Sequence, residues 1–235
     1  MVDRLIDDPR HVVGELTVRR LAHRDVLEDV SFSLDTGSLL VVLGENGAGK
    51  TTIFRCLLGM QRHGGDVLST VGGVERVVPE EGFFSCILDE TALYQRWSVR
   101  ANLEYHLDKP IDQDPWVRRL VDSSLLTRRA AKLSHGQSRL VLLAIAFASE
   151  APVLLLDEFA NGLDETARLR VRSCISEARA CGRSAISTGH DLSVFEGIEL
   201  DVAVLQGGRL GPTEHVSTDE RIEDVRARHF RRTSS

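Results

Sequence analysis

The chain has 235 residues and a formal net charge of −6. This length suits one α/β domain with a small insertion, and it is sufficient to bury a substantial core. The acidic balance argues against binding of nucleic acid through a basic face, so we expect no nucleic-acid partner. The four cysteines, Cys56, Cys86, Cys174 and Cys181, lack the spacing of a zinc site or a disulfide framework, which favours a reducing compartment.

The apolar runs at 39–43 and 153–156 are far shorter than the roughly 20 residues that a helix needs to cross a bilayer. The first nine residues carry three aspartates and lack an apolar core, so they do not resemble a secretory signal. We therefore expect a cytoplasmic protein that contains no membrane-spanning helix.

Along the chain, apolar runs of strand length alternate with amphipathic stretches of helix length. This alternation predicts a largely parallel sheet covered by helices. The predicted strands are 15–18, 30–34, 39–43, 83–88, 153–157, 184–188 and 202–206. The continuous apolar runs at 39–43 and 153–156 are typical of central strands buried on both faces. Predicted helices begin at Lys50, Asp114, Ser134 and Glu165.

Two regions differ from this pattern. Residues 91–129 contain both tyrosines and both tryptophans of the chain beside several charges, and we interpret them as a helical insertion. From Thr213 onward charged residues dominate, which predicts a solvated, frayed helix as a C-terminal tail over 213–235.

The segment 44–52 matches the phosphate-loop pattern G-x-x-x-x-G-K-[ST], between a predicted strand and a predicted helix. Its glycines allow backbone N–H groups to face an anion, and the helix beginning at Lys50 directs its positive dipole end to the same point. Lys50 is expected to reach the β- and γ-phosphates of ATP, and Thr51 to bind Mg²⁺. The predicted ATP-binding residues are Gly44, Glu45, Asn46, Gly47, Ala48, Gly49, Lys50, Thr51 and Thr52.

The predicted strand at 153–157 is followed by a second acid, so that Asp157 and Glu158 lie at the carboxyl edge of the sheet, where open α/β folds bind ligands. Asp157 is predicted to bind Mg²⁺ through water, and Glu158 to act as the general base on the attacking water. Two acids can also merely end a strand. Together with the phosphate loop, however, they favour hydrolysis of a nucleoside triphosphate.

Residues 133–137 read L-S-H-G-Q and resemble the signature L-S-G-G-Q of the ABC transporter ATPases, with one substitution. The resemblance implies an α/β fold of the ABC type of P-loop NTPase: a mostly parallel central sheet, an N-terminal antiparallel β portion and a small helical insertion subdomain. It places the ABC ATPase domain at 10–212, with the helical subdomain at about 91–150. It also implies that Ser134, His135, Gly136 and Gln137 bind the nucleotide held by a second subunit.

Further segments resemble motifs of the same family, in its order. Residues 161–164 resemble the D-loop, which implies that Asp164 lies at a dimer interface. Residues 187–191 resemble the H-loop, which implies that His190 contacts the γ-phosphate and keeps Glu158 and the water in register. Asp89 aligns with the Q-loop glutamine, a magnesium ligand that also senses the membrane partner. We expect Asp89 to retain metal binding with altered coupling.

The chain departs from the family pattern at three further places. The family usually has an aromatic residue before the second strand that stacks on adenine, but residues 21–24 read L-A-H-R. Leu21 is the aligned position there and His23 a possible substitute. His135 replaces a glycine of the signature, and Phe159 replaces the proline that usually follows the catalytic glutamate.

The resemblance implies an ATP-binding and ATP-hydrolysing subunit that forms a homo- or heterodimer around two Mg²⁺–ATP, with Glu158, His190 and Lys50 as catalytic residues. Its partner is a separate transmembrane permease, which would hold it at the inner face of the cell membrane. The stretch 92–103 resembles exporter ATPases, so we predict export. The aromatic residues between Tyr94 and Tyr105 either contact the permease or pack inside the insertion.

Two other functions remain open at this point. One is a soluble ABC ATPase that acts outside transport, although such relatives carry a second nucleotide domain or a long coiled-coil insertion. The other is a degenerate ATP-binding regulatory subunit in a heterodimer. Asp89, His135 and the missing aromatic residue motivate this second alternative, whereas Glu158, Lys50 and His190 argue against it.

Overall fold

The fold is organised around one large mixed sheet. The computed structural model describes residues 15–71, 74–79, 81–88, 93–189 and 192–220, together with Asp224 and Arg228. Within these residues the sheet has eleven strands. They are β1 (Glu15–His23), β2 (Leu27–Asp35), β3 (Leu39–Leu43), β4 (Gly64–Val71), β5 (Val74–Val77), β6 (Phe84–Ile87), β7 (Val153–Asp157), β8 (Ser184–Thr188), β9 (Leu200–Gln206), β10 (Arg209–Leu210) and β11 (Glu214–Val216).

The helices of the described chain are α1 (Lys50–Leu57), α2 (Val99–Leu107), α3 (Pro115–Leu120), α4 (His135–Ala148) and α5 (Glu165–Ala180). Short 3₁₀ turns lie at Ser123–Leu125, Ala130–Lys132 and Ser193–Phe195. None of the helices in this part of the chain combines the length and the hydropathy that crossing a bilayer requires.

The centre of the sheet is parallel, as the sequence predicts. Its strands follow the order β9-β3-β8-β7-β6, and each neighbouring pair is parallel. Every residue of β3, β7 and β8 is buried, so these are central strands covered on both faces. Because the carboxyl ends of parallel strands meet at the same edge, the loops that follow β3, β7 and β8 lie side by side.

The N-terminal part of the sheet is antiparallel, which confirms the expectation from the family. β1 pairs with β2 and β4, and β4 pairs with β5. The predicted strands did not include β4 and β5. β4 begins with two glycines and mixes polar with apolar residues, and all four residues of β5 are exposed. Neither sequence therefore contains the apolar run on which the prediction depends.

The predicted helix starts are confirmed, and local capping contacts explain them. Asp114 accepts hydrogen bonds from the N–H groups of Trp116 and Val117, both at 3.0 Å, at the start of α3. Asp164 accepts one from the Ala167 N–H at 2.8 Å at the start of α5. Such side-chain acceptors satisfy N–H groups that have no partner within the helix.

The insertion contains α2 and α3, and its aromatic side chains differ in burial. Trp116 stacks on Phe147 of α4, with ring centroids 5.4 Å apart, so it belongs to the core. Tyr94, Trp97 and Tyr105 contact one another and remain 44%, 40% and 59% exposed. We call these three side chains the aromatic patch.

The prediction of a frayed helix from Thr213 onward is wrong for residues 214–216, which form a strand. β11 pairs antiparallel with β9, and Val216 is completely buried. The physical reason is that Val216 covers apolar surface of the sheet, which a count of charged residues does not reveal. The sheet therefore continues past the predicted domain boundary at 212.

The C-terminal end of α4 is held by two cations. Arg183 is buried, and its guanidinium donates to the carbonyls of Ala146, Phe147 and Ala151. Lys109 donates to the carbonyl of Ala148 at 2.8 Å. These contacts satisfy carbonyls at the helix end and oppose the negative end of its dipole. Burial lowers the pKa of Arg183 to about 10, so the group is still charged at neutral pH.

We expect Arg183→Met to lower the free energy of unfolding by about 2 to 4 kcal/mol, because several buried carbonyls lose their partner. Urea unfolding followed by circular dichroism measures the loss. The control is Arg209→Met, which removes an exposed ion pair with Glu28 and should cost less than about 1 kcal/mol. Equal losses in the two variants would contradict this account of α4.

His215 of β11 lies between Asp201 and Glu199, and its hydrogen bond with Asp201 is the main reason that its pKa is raised above 6.5. Because the pKa is raised, the protonated His215 stabilises the folded state through its contact with Asp201. This contribution to the free energy of unfolding is complete below pH 6.5 and is lost as the pH rises through the folded-state pKa. NMR titration of the His215 ring should give a pKa above 6.5. Asp201→Asn should remove most of the increase, and an unchanged titration in that variant would contradict the assignment.

Candidate functional site

The phosphate loop lies between β3 and α1, as predicted. Lys50 is only 6% exposed, and its Nζ donates to the carbonyls of Gly44 at 2.8 Å and Glu45 at 3.0 Å. Gly47 and Gly49 adopt left-handed conformations, with φ of 84° and 103°, that other residues rarely adopt. The lysine thus crosses beneath its own loop, and the N-terminal end of α1 faces the space that the loop encloses.

The carboxylate of Asp157 connects the ends of β7 and β8 with the start of α1. It is 1% exposed and accepts a hydrogen bond from the Thr51 hydroxyl at 2.7 Å. The hydroxyl of Thr188, at the end of β8, donates to its other oxygen. Two of the three predicted magnesium ligands, Thr51 and Asp157, are therefore in direct contact. A hydroxyl and a carboxylate are donors of the type that Mg²⁺ takes when phosphates and waters supply the rest, so these residues fit the ion.

Glu158 has an unusual backbone conformation, with φ of 43°. Its N–H donates to the Thr188 carbonyl at 3.1 Å, and its carbonyl accepts from Arg139 at 3.1 Å. Its carboxylate accepts from the Asn161 side chain at 2.9 Å and lies 4.0 Å from the Lys50 ammonium. Left-handed backbone at a residue other than glycine is uncommon and is concentrated at functional sites. The structure thus brings Glu158 and Lys50 together.

The signature segment forms the first turn of α4. The Ser134 hydroxyl accepts from the Gln137 N–H at 3.2 Å, and the Gln137 side chain accepts from the Ser134 N–H at 3.0 Å. This reciprocal capping box explains why the helix begins there. Ser134 and His135 are exposed, so the turn is accessible from outside the subunit.

The signature turn packs directly on the D-loop of the same subunit. A Cβ added at Gly162 would lie 2.5 Å from the Cδ2 atom of His135, and one added at Gly136 would lie 2.7 Å from the Gly162 carbonyl oxygen. His135 is therefore accommodated because residue 162 has no side chain. Asp164 caps α5 within this arrangement, and its position at a dimer interface stays a prediction.

The phosphate loop and the signature turn line separate clefts of the subunit. Residues 43–48 line one together with 204–207 of β9 and the following turn. Residues 134–137 line the other together with 162–164. Two residues from the sequence-based prediction, Asp89 and His190, lie outside the described residues.

Leu21, the position aligned with the family's adenine-stacking aromatic residue, lies inside the protein. Leu21 is completely buried with Leu16 and Val18 in the core formed by the antiparallel strands, because a register irregularity in β1 between Val18 and Leu21 turns residue 21 to the inner face. His23 is partly exposed, and its Nδ1 lies 2.7 Å from the Arg62 carbonyl oxygen. Of the two alternatives, only His23 presents ring surface to solvent.

Three residues that the sequence did not single out contact the site: Arg139, Asn161 and Thr188. Asn161 lies three residues after Glu158, within the D-loop motif, so its position was a usable signal. Thr188 ends the strand next to β7, which the parallel pattern also indicated. The sequence contains no comparable signal for Arg139, because its contact with Glu158 depends on how α4 packs against the end of β7.

Comparisons with known proteins identify the family. The family model described as "ABC transporter" matches residues 27–161. This chain belongs to the ABC transporter family. The match covers the phosphate loop, the signature turn and the carboxylate pair.

Curated relatives of this ABC chain are named as import proteins. A "probable anion import ATP-binding protein" of Haloferax volcanii is 30% identical, over 97% of this chain and 90% of that protein. A "Fe(3+) ions import ATP-binding protein" of Haemophilus influenzae is 29% identical, over 89% of this chain and 62% of that protein. The chain spans 55% to 62% of the length of the first relatives it matches.

Solved ABC structures share the fold. A bacterial Atm1-family ABC exporter with ATP bound superposes with a TM-score of 0.77 at 21% identity, over 96% of this chain and 43% of that one. An ATP-binding subunit of an ABC transporter gives a TM-score of 0.74 at 23% identity, over 93% and 94% of the two chains. At these identities the likeness concerns the fold, and it confirms the predicted ABC type of P-loop NTPase.

Replacement of Gly162 tests the contact between the signature turn and the D-loop. Gly162→Ala should cost about 1 to 3 kcal/mol more than Gly197→Ala, because both have positive φ but a Cβ at 197 meets nothing within 4 Å. Urea unfolding measures both losses. His135→Gly should remove the excess in the double variant, and an excess that persists would show that the contact does not constrain the loop.

Proposed function

We propose that this chain binds ATP with Mg²⁺ and hydrolyses it, and that it does so as the ATP-binding subunit of a membrane transporter. The observation that carries the proposal is the meeting of Glu158, Asp157 and the phosphate loop. The Glu158 carboxylate lies 4.0 Å from Lys50, and Asp157 is bonded to Thr51. A phosphate cradle, a metal-binding pair and a base at one sheet edge are the parts that phosphoryl transfer to water requires.

In this proposal each residue has a separate task. Lys50 and the loop N–H groups neutralise the phosphates, while Thr51 and Asp157 hold Mg²⁺. The ion supplies charge neutralisation for the β- and γ-phosphates when it is bound. Glu158 accepts a proton from the attacking water, and Asn161 orients its carboxylate through the 2.9 Å hydrogen bond. Asp89 and His190 keep their predicted roles as metal ligand and γ-phosphate contact.

The separation of the two clefts supports a dimer as the working form. The signature turn is exposed and does not line the cleft beside the phosphate loop of its own subunit. Its helix N-terminus favours an anion, since the capping box satisfies only some of the first N–H groups of α4. A second subunit that faces this one would place the turn, Ser134 to Gln137, against the nucleotide of its partner.

The aromatic patch supports a permease as the partner. Tyr94, Trp97 and Tyr105 form an exposed apolar surface of a kind enriched at interfaces. The loop that carries it is fixed by Asn102, which is completely buried and bonds the Tyr94 N–H and carbonyl and the Ser98 carbonyl. A rigid, exposed aromatic surface suits docking, and attachment to a permease would hold the chain at the inner face of the membrane.

The direction of transport is a separate question. The sequence predicts export, whereas the curated relatives are named import ATP-binding proteins. The exporter among the solved structures is 21% identical, so it supports the fold but not the direction of transport. The relatives therefore favour import, and the exporter prediction is without support from them. The proposed ATPase step is the same in either direction.

A degenerate, binding-only subunit fits the geometry less well. His135 occupies space left by Gly162 and leaves the capping contacts of Ser134 and Gln137 intact. Phe159 is buried and packs edge-on against Phe195, with ring centroids 5.8 Å apart, so it replaces the usual proline without exposing the turn. Neither substitution removes a group that the proposed hydrolysis uses.

We expect Glu158→Gln to slow ATP hydrolysis about 10²- to 10⁴-fold while ATP binding is retained, because the amide cannot accept the proton. With ATP and Mg²⁺, size-exclusion chromatography with light scattering should show more dimer than for the wild-type chain, since bound ATP is no longer consumed. Phosphate release measures the rate. Chelation of Mg²⁺ should abolish both the hydrolysis by the wild-type chain and the additional dimer of the variant.

The matched control is Glu75→Gln, which changes an exposed glutamate of β5 that pairs with Arg19. It should keep the wild-type rate. A Glu158→Gln protein that hydrolyses ATP at the wild-type rate would rule out Glu158 as the base. Absence of hydrolysis in the wild-type chain, measured with and without a reconstituted permease, would rule out the ATPase proposal.

A further inference from the structure

The proposed hydrolysis makes no use of Arg139, although this residue is placed at the site. Arg139 lies on α4, is 3% exposed, and carries a charge into the protein interior. Its Nη2 donates to the carbonyl oxygen of Glu158 at 3.1 Å and to that of Asp157 at 3.4 Å. Burial of a guanidinium is costly unless hydrogen bonds compensate it, so a well-packed apolar residue would be the cheaper choice for stability alone.

The carbonyl that Arg139 contacts belongs to the strained residue of the site. Glu158 has φ of 43°, a conformation that persists only where the surroundings fix it from several sides. β8 fixes its N–H through Thr188, and the D-loop fixes its carboxylate through Asn161. Arg139 fixes its carbonyl from α4. A small rotation of this peptide would move the carboxylate away from the phosphate loop.

The same helix carries the signature turn at its first residues. Arg139 follows Ser134 by little more than one turn of a single helix, so the two move together if α4 shifts as a rigid body. The far end of α4 is held by Arg183 and Lys109. A ligand at the signature turn therefore acts at the end of α4 that is nearer to Glu158.

We propose that Arg139 is a positioning residue, which fixes the peptide of Glu158 for hydrolysis and makes its geometry depend on what is bound at the signature turn. This inference rests on the proposed function. In a dimer, the nucleotide on one subunit contacts the signature turn of the other, and Arg139 transmits that contact to the second subunit's own Glu158. Hydrolysis then becomes cooperative between the two nucleotides.

The test compares Arg139→Met and Arg139→Lys with the wild-type chain in ATP hydrolysis. We expect Arg139→Met to lower kcat about ten- to hundredfold, as misplacement of a catalytic group by about 1 Å does. The KM for ATP should change less than about twofold, because the phosphate loop is untouched. The Hill coefficient for ATP should fall towards 1. Arg139→Lys keeps one donor and should retain more of the rate.

A double variant separates positioning from general structural damage. In the Glu158→Gln background, Arg139→Met should cause no further loss of the residual rate, because the group it positions no longer acts as a base. Arg179→Lys serves as the control, since it changes a partly buried arginine of α5 that bonds the carbonyls of Gly37 and Glu199, away from α4. It should lower the unfolding midpoint and leave kcat per folded molecule unchanged.

Additive losses in the double variant, or a raised KM with an unchanged kcat, would overturn the role of Arg139 while leaving the ATPase proposal intact. A wild-type chain without hydrolysis, or one unaffected by Glu158→Gln, would instead overturn the proposed function. If Arg139→Met does not fold, the same comparison is made with Arg139→Lys, whose kcat and Hill coefficient must then fall without a change in KM.

Discussion

The buried carboxylate of Asp157 is the contact on which the arrangement of the site depends. It receives hydroxyl groups from α1, through Thr51, and from β8, through Thr188. A carboxylate at 1% exposure without hydrogen-bond partners would be strongly unfavourable, so these donors compensate its burial. One interaction therefore fixes the relative positions of the phosphate loop, the end of β7 and the end of β8.

This constraint has a direct consequence for Glu158. The chain leaves β7 immediately after Asp157, and the backbone turns into the left-handed region to do so. The turn places the Glu158 carboxylate towards Lys50 rather than along the strand direction. A strained residue next to a rigidly held one is a common arrangement at functional sites, because the surrounding structure supplies the energy that the strain costs.

Helix α4 links the signature turn to Glu158, and its two ends make different contacts. Its C-terminal carbonyls are covered by Arg183 and Lys109, which oppose the negative end of the helix dipole. Its N-terminal turn is closed by its own capping box and packs on the D-loop, with Ser134 and His135 exposed. The positive end of the dipole is thus left accessible to an anionic ligand, and the buried Arg139 continues this link from the signature turn to the carbonyl of Glu158.

The sequence by itself determined the features that arise from contacts between near neighbours. Helix starts were predicted because capping contacts and loops act over a few residues, as at Lys50, Asp114, Ser134 and Glu165. The central strands β3 and β7 were predicted from their continuous apolar runs. The phosphate loop and the carboxylate pair were readable for the same reason.

The tertiary structure decided the rest, because packing between distant segments sets it. β11 is a strand because it pairs with β9 and Val216 packs on the apolar surface of the sheet. Leu21 is buried because of its register in β1. Only the packing of α4 against β7 joined Arg139 to Glu158, and only the approach of the D-loop showed that His135 depends on the glycine at 162. Linear spacing carries no information on such contacts, since they arise from the shape and charge of surfaces that meet only after folding.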